Sequence, residues 1–218
     1  MPESTHKVSS PYKVSDVMTH TVVAVGRDAP FKEIVELLDE WKISALPVRS
    51  GEGRVIGVVS EADLLPKEEF RDDDPTRYDV LRRLSDLAKA GAVTAGELMT
   101  SPAVTVHADA TLAGAARVMA RRRVKRLPVV DNSGLLQGIV SRGDLLKVFL
   151  REDEQIADEI SRTILARLPA ISEVTVSVAG GVATVGGRLR DRALVPVLAR
   201  AIRAIEGVVD IKVDVVRP

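Results

Sequence analysis

The sequence contains the same unit twice, and this repeat constrains the fold more than any other feature. Residues 18–65 align with residues 99–146 without a gap, at a constant spacing of 81 positions. Identities recur at Met18-Thr19 and Met99-Thr100, at Leu46-Pro47-Val48 and Leu127-Pro128-Val129, and at Asp63-Leu64-Leu65 and Asp144-Leu145-Leu146. Two copies are too few for a solenoid. We therefore expect a face-to-face pair with pseudo-two-fold symmetry and clefts between the copies.

Each copy is predicted to form a β-α-β-β-α unit. The expected strands are 21–25, 45–49 and 54–60 in the first copy and 103–106, 127–130 and 135–140 in the second. The first helix of each copy is expected at about 30–42 and about 111–123, with Asp28 and Asp109 as candidate N-terminal caps. Ile34, Leu37, Leu38 and Trp41 form the apolar stripe of the first of these helices. A second helix is expected to begin directly after Ser60 and after Ser141.

The segment between the copies carries two prolines and dense charge, so residues 66–75 are expected to be a solvated connector. Apolar residues then recur at helical spacing, which predicts an inserted helix that ends at Gly91. These residues are Tyr78, Leu81, Leu84, Leu87 and Ala88. The expected role of this helix is packing or a dimer contact.

The last third of the chain predicts the order α-β-β-α-β. Its helices are expected over 153–168 and 191–205, the second with Asp191 as its cap, and its strands over 173–178, 182–185 and 208–216. Gly180-Gly181 separates two alternating apolar runs, which is a hairpin signal.

Composition excludes several classes of protein. The 31 Lys+Arg residues balance 31 Asp+Glu residues, which disfavours a protein that binds nucleic acid through its phosphates. Without cysteine there is no disulfide, cysteine nucleophile or zinc–thiolate site, and three dispersed histidines disfavour a metal site. No apolar run approaches the roughly 18 residues of a membrane helix, and the first residues lack a secretory signal. We expect a cytoplasmic protein; because GxGxxG and GxSxG motifs are absent, we expect no enzyme.

The repeated element Gly-x-x-Ser-x-x-Asp is the main candidate for ligand chemistry. It places Ser60 or Ser141 where a strand runs into a helix, and Asp63 or Asp144 one turn later. A helix start attracts an anion, a serine hydroxyl can donate to phosphate, and the carboxylate can accept the two hydroxyls of a ribose. Gly57 and Gly138 would let a flat base approach the backbone. The alternative is that serine and aspartate only cap the helix, which is worth about 1 kcal/mol.

A second candidate is the basic run 121–126, in which five of six residues are Lys or Arg. Such a cluster can bind phosphate. For Arg121 and Arg122 a solvated helix end is the favoured interpretation, because cations suit the C-terminal dipole. Lys125 and Arg126 directly precede a buried strand, and both interpretations stay open for them.

The two copies resemble CBS domains, through the Met-Thr start, the central Leu-Pro-Val and the Gly-x-x-Ser-x-x-Asp element. The last third resembles a BON domain, through its α-β-β-α-β order and its valine-rich runs separated by glycines. The resemblances imply a tail (1–13), a first CBS domain (14–66), a linker with the inserted helix (67–93), a second CBS domain (94–150) and a BON domain (151–218). The implied fold class is α+β, with the CBS units packed as a pseudo-two-fold pair.

The CBS resemblance implies two clefts that mix residues of both copies. One cleft would hold Val58, Ser60 and Asp63 with Pro102, Val104, Lys125 and Arg126. The other would hold Ile139, Ser141 and Asp144 with Thr21, Val23, Ile43, Ser44 and Ala45. The Asp63 cleft is expected to bind a charged nucleotide more tightly, because the first copy has Ala45 where Arg126 stands in the second.

The resemblance implies a regulatory protein that binds AMP, ADP, ATP or S-adenosylmethionine and senses cellular energy. No cofactor is required, and the adenine nucleotide is the regulatory ligand. A homodimer through the CBS pairs is expected. The BON domain would serve as an output or attachment module that contacts phospholipid or protein, with localisation in the cytoplasm or at the inner membrane face. The alternative is a structural or membrane-associating protein whose clefts are empty.

Overall fold

The structure is a computed structural model that describes residues 12–71, 83–167, 174–189, 191 and 193–216. The chain divides into two compact units. One is Met18–Ser141, and the other joins Met1–Val17 to Arg142–Pro218.

The described helices are α1 (Val14–Val17), α2 (Phe31–Glu40), α3 (Glu61–Leu64), α4 (Pro66–Glu69), α5 (Leu84–Gly91), α6 (Ala95–Leu98), α7 (Leu112–Arg122), α8 (Arg142–Leu146), α9 (Asp153–Thr163) and α10 (Leu194–Arg203). The described strands are β1 (Val25–Gly26), β2 (Ala45–Arg49), β3 (Val55–Ser60), β4 (Val106–His107), β5 (Arg126–Val130), β6 (Leu136–Ser141), β7 (Val174–Ala179), β8 (Val182–Arg188) and β9 (Asp210–Val216). Short 3-10 helices cover Lys147–Leu150 and Leu165–Arg167.

The unit Met18–Ser141 contains two three-stranded sheets of the same design, β1-β2-β3 and β4-β5-β6. In each sheet the first strand pairs in parallel with the second, and the second pairs antiparallel with the third. The registers correspond, since Leu46 faces Val59 in one sheet and Leu127 faces Val140 in the other. These four side chains are fully buried, which places the Leu-Pro-Val motifs in the core.

The two copies are joined by reciprocal backbone hydrogen bonds. Thr19 and Ile139 exchange two N–H···O bonds of 2.9 and 3.0 Å, and Thr100 and Val58 exchange two of 2.9 and 3.1 Å. Each Met-Thr segment thus bridges to the last strand of the opposite copy's sheet. The positions of the two bridges differ by the spacing of the repeat, so the predicted pseudo-two-fold pairing of an α+β fold is what the structure contains.

The methionines next to these threonines fill the space above the two repeated glycines. A Cβ added at Gly57 would collide with the Met99 side chain, and one added at Gly138 would lie 2.7 Å from Met18 Sδ and 2.9 Å from the Thr19 carbonyl oxygen. The prediction that these glycines admit a flat base is therefore wrong. They admit a methionine from the opposite copy.

Several local predictions need correction. The first strands are only two residues long, at Val25–Gly26 and Val106–His107. Asp28 and Asp109 are not the caps: α2 begins after Pro30, and α7 begins after Thr111, whose hydroxyl accepts from Gly114 N at 3.1 Å. Trp41 lies just beyond the end of α2 and is 53% exposed, so it does not belong to the buried stripe.

The segment between the copies is more ordered than a solvated connector over its described part. Pro66–Glu69 is a helix whose Pro66 is buried, and α5 ends at Gly91 as predicted. Lys67 Nζ donates to the Ala90 carbonyl at 2.9 Å, and Arg83 bonds both carboxylate oxygens of Glu69. The guanidinium of Arg83 lowers the pKa of the Glu69 carboxyl. Tyr78 and Leu81 lie outside the described residues.

The second unit has the predicted α-β-β-α-β order, with β7-β8-β9 as its sheet. The Gly180-Gly181 turn is held by Asp153, whose carboxylate accepts from both glycine N–H groups at 2.7 and 2.8 Å. Asp191 accepts from Ala193 N at 2.8 Å, but α10 begins three residues later, at Leu194. None of the helices in the described ranges is long and apolar enough to cross a membrane.

The chain between α8 and α9 is not continuously helical. A 3-10 turn ends at Leu150, Arg151 and Glu152 are extended, and α9 begins at Asp153. Arg151 lies in this break, and its guanidinium donates to the Glu159 carboxylate and to the Glu206 carbonyl, both at 2.7 Å.

Candidate functional site

A cavity of about 440 Å³ within the unit Met18–Ser141 contains all seven residues predicted for the Asp63 cleft. These are Val58, Ser60, Asp63, Pro102, Val104, Lys125 and Arg126. They come from both copies and are brought together by the bridge between Val58 and Thr100. The structure therefore joins an acidic group, a set of basic groups and an apolar wall around one space.

Asp63 is the buried charged group of this cavity, at 8% exposure. Its Oδ2 accepts from the backbone N of Ser60 at 2.8 Å and from the Ser60 hydroxyl at 2.7 Å. Ser60 and Asp63 thereby form a capping box at the start of α3. The position follows from the sequence, because β3 ends at Ser60 and α3 begins at the next residue.

The other oxygen of Asp63 faces the inserted helix and the opposite copy. Lys89 Nζ, from α5, forms an ion pair with Asp63 Oδ1, and Thr100 Oγ1 lies 3.4 Å from the same oxygen. The Lys89 and Asp63 side chains are 21% and 10% exposed. The sequence did not predict the role of Lys89. The inserted helix was expected to serve packing or a dimer contact, and no sequence signal indicated that one of its lysines would pair with Asp63.

The basic side of the cavity is built at the end of α7 and the start of β5. Arg123 has a left-handed backbone that ends the helix, and it lines the cavity with Lys125 and Arg126. Arg126 Nη2 donates to Ser44 Oγ at 2.5 Å. None of the ion pairs among the described residues involves Arg123 or Lys125, and both line the cavity. Arg123 belongs to the predicted basic run but was not among the residues assigned to the cleft, and Arg121 and Arg122 do not line the cavity.

Ser44 and Ala45 also line this cavity, although the sequence assigned them to the other cleft. The reason is the strand register, because Ala45 pairs directly with Ser60 across β2 and β3. The apolar wall is formed by Val58, Pro102 and Val104. Together these groups can hold a flat apolar ring, a polyol and an anion in one space.

The residues predicted for the second cleft do not all belong to one unit, because Asp144 is part of the unit that contains Arg142–Pro218. There its carboxylate pairs with Lys147 at 2.7 Å. In the other unit Ile139 bonds Thr19, and Val23 and Ile43 pack against the core of the first copy. Thr21 is exposed, and Ser141 pairs with Arg126. The second cleft stays a prediction.

No group of three or more His, Cys, Asp or Glu side chains in the described part of the chain is arranged to hold a metal ion.

The capping box formed by Thr94 and Glu97 shifts the pKa of the Glu97 carboxyl. Hydrogen bonds from the backbone N–H groups of Val93 and Thr94 lower the pKa of Glu97. This box fixes α6, the helix that precedes the Met99-Thr100 bridge.

Comparison with known proteins places this site in context. The CBS domain profile matches residues 14–67 and 95–151. A protein of Methanocaldococcus jannaschii, MJ1426, is 29% identical over 63% of this chain and 90% of its own length. The chloroplastic CBS domain-containing protein CBSX2 of Arabidopsis thaliana is 32% identical over 64% of each chain.

A crystal structure of CBSX2 in complex with AMP superposes on this fold with a TM-score of 0.56 and 32% identity. The similarity covers 64% of this chain and 97% of that chain.

Proposed function

Because the chain belongs to the CBS-domain family, we propose that it is a regulatory, non-enzymatic protein that senses an adenosine-containing ligand between its two copies. The observation that carries this proposal is that Asp63, Lys125 and Arg126 line one cavity formed by both copies. The AMP complex of the similar CBSX2 structure supports the choice of ligand class.

Each part of the cavity has a role in this proposal. Asp63 accepts the ribose hydroxyls, and Val58, Pro102 and Val104 pack against adenine. Arg123, Lys125 and Arg126 face the phosphate, since charge-assisted hydrogen bonds to phosphate are stronger than neutral ones. Three cations favour a phosphorylated nucleoside such as AMP, ADP or ATP over S-adenosylmethionine, which lacks a phosphate.

Calorimetric titration of the full chain with AMP, ADP, ATP and S-adenosylmethionine tests the proposal. We expect AMP to bind, and we expect Asp63→Asn to weaken binding by at least about tenfold through loss of a charge-assisted hydrogen bond. The matched variant is Asp144→Asn, for which we propose a smaller loss. Equal losses would contradict the tighter Asp63 site. Absence of binding by all four compounds would favour a structural or membrane-associating protein instead.

We also propose that the unit containing Arg142–Pro218 is an output or attachment module, based on its α-β-β-α-β order. Sedimentation with anionic liposomes would detect contact with phospholipid. If the protein stays in the supernatant and does not sediment with the liposomes, the result favours a module that contacts other proteins. A homodimer and a place in the cytoplasm, or peripherally at the inner membrane face, belong to the same proposal. Light scattering after size exclusion and cell fractionation test these two points.

A further inference from the structure

The ion pair between Lys89 and Asp63 links the inserted helix to the proposed ribose site. Lys89 lies 26 residues from Asp63 in sequence, on α5, and its ammonium group pairs with the Asp63 carboxylate, a group that lines the cavity. The same helix is also held by Lys67, which bonds Ala90, and by Arg83 at its start, which bonds Glu69. Lys89 is thus the contact between this helix and the acidic end of the cavity.

The hydrogen-bonding capacity of Asp63 is already filled. A carboxylate offers about four acceptor positions. Oδ2 receives the backbone N and the hydroxyl of Ser60, and Oδ1 receives Lys89 and the more distant Thr100 hydroxyl. The two Ser60 bonds belong to the helix cap. A diol that binds Asp63 must therefore take the positions on Oδ1, where Lys89 donates.

We propose that Lys89 competes with the ribose hydroxyls for Asp63, so that ligand binding displaces Lys89 and loosens α5. This inference rests on the proposed function and adds to it how occupancy of the site is sensed. Displacement replaces the ion pair with Lys89 by hydrogen bonds from uncharged hydroxyls to the carboxylate, and the loss of the ion pair lowers the affinity for the ligand. When the ligand is bound, the inserted helix no longer has its ion pair with Asp63.

The variant Lys89→Met tests the competition. It keeps the aliphatic length of the side chain and removes the ammonium group. We expect its affinity for AMP to rise by about tenfold, the change that corresponds to removal of one competing charge-assisted hydrogen bond. The matched control is Lys67→Met, which removes the same charge and also touches α5 but does not contact Asp63. We expect its affinity for AMP to stay within about twofold of that of the unchanged protein.

A ligand without the diol separates competition at Asp63 from a general effect of charge. The 2′,3′-dideoxy form of AMP has no ribose hydroxyls to donate to the Asp63 carboxylate. Its affinity should therefore be the same for the unchanged protein and for the Lys89→Met variant. An equal gain for both ligands, or an equal gain with Lys67→Met, would overturn the inference. Unchanged or weaker AMP binding by a folded Lys89→Met protein would overturn it as well.

Amine labelling of the unmodified protein gives a readout that does not depend on how the variant folds. Acetylation of Lys89, followed by mass spectrometry, should increase when AMP is added and should not increase with the dideoxy ligand. Constant labelling in the presence of bound AMP would contradict displacement. If AMP does not bind the unmodified protein or Lys89→Met, the proposed function fails, whereas binding without release of Lys89 removes this inference alone.

Discussion

The carboxylate of Asp63 accepts two hydrogen bonds from Ser60 through a single oxygen, at 2.8 Å from the backbone N and 2.7 Å from the hydroxyl. The capping and ligand-binding interpretations of the Ser-x-x-Asp element are therefore compatible at this position. One oxygen caps α3, and the other accepts from Lys89 and lies 3.4 Å from the Thr100 hydroxyl. Helix capping fixes the orientation of the carboxylate that the proposed ligand would meet.

Asp63→Ala should destabilise the protein more than Asp63→Asn. Alanine removes the cap, which is worth about 0.5–2 kcal/mol, and also leaves the partly buried Lys89 without its carboxylate. Asparagine keeps an oxygen that can accept from the Ser60 N–H. Urea denaturation measures the difference in the free energy of unfolding. Equal stability of the alanine variant and the unchanged protein would mean that the cap contributes nothing.

The two repeated glycines should differ in their tolerance of a methyl group. Both alanine substitutions should cost about 1–3 kcal/mol of unfolding free energy, because each new Cβ overlaps a methionine. Gly138→Ala should be the more destabilising, since its Cβ also meets the Thr19 carbonyl, which is held in a bridge to Ile139. Gly51→Ala is the control, because no atom lies within 4 Å of its added Cβ. Chemical denaturation ranks the three, and the reverse order for Gly57 and Gly138 would contradict this account.

Glu97 should contribute stability that depends on pH. Backbone hydrogen bonds hold its pKa below the usual value of 4.5 in the folded protein. The contribution is therefore fully present above pH 4.5 and is lost as the pH falls through the lowered pKa of the folded state. Glu97→Gln keeps the acceptor and removes the titration. The difference in melting temperature between the two proteins should shrink from about pH 6 to about pH 3, and a constant difference would exclude this contribution.

Arg126 should matter for the phosphate and not for the nucleoside. Arg126→Ala should weaken AMP binding by about tenfold or more, the effect of one charge-assisted hydrogen bond, and should change adenosine binding much less. Arg122→Ala is the matched control, because Arg122 stands at the end of α7 and does not line the cavity. Calorimetry with AMP and adenosine measures both affinities. An equal loss for the two ligands would place Arg126 away from the phosphate.

Sequence patterns predicted the central elements well because their signals are local. β2 matched its predicted limits, since its apolar residues are bounded by turn residues on one side and a helix end on the other. The seven residues that the CBS resemblance assigned to the Asp63 cleft line one cavity. The helix caps were misplaced by two residues, since Asp28 and Asp109 are both close enough to a helix start to fit the pattern.

The contacts that sequence reasoning missed all join distant parts of the chain. Lys89 meets Asp63 only because α5 folds back against the first copy, and no periodicity within the insert reports this. Met99 reaches Gly57 from the opposite copy, so the open space expected above this glycine is filled. Arg123, although part of the predicted basic run, was not assigned to the cleft, because its place there accompanies a left-handed helix end that the sequence pattern did not indicate.

Each Met-Thr segment pairs with the last strand of the opposite copy, and this pairing determines how the two copies would behave if the chain were cut between them. β3 and β6 are the outer strands of their sheets, and Thr100 and Thr19 cover part of each exposed backbone edge. A protein severed between its halves would give two fragments that each carry the strand neighbour needed by the other. Either fragment alone would leave an uncovered edge at Val58 or Ile139, whereas mixing both would restore the two bridges together. We therefore expect the two halves of the duplicated unit to associate with each other and neither half to be stable alone.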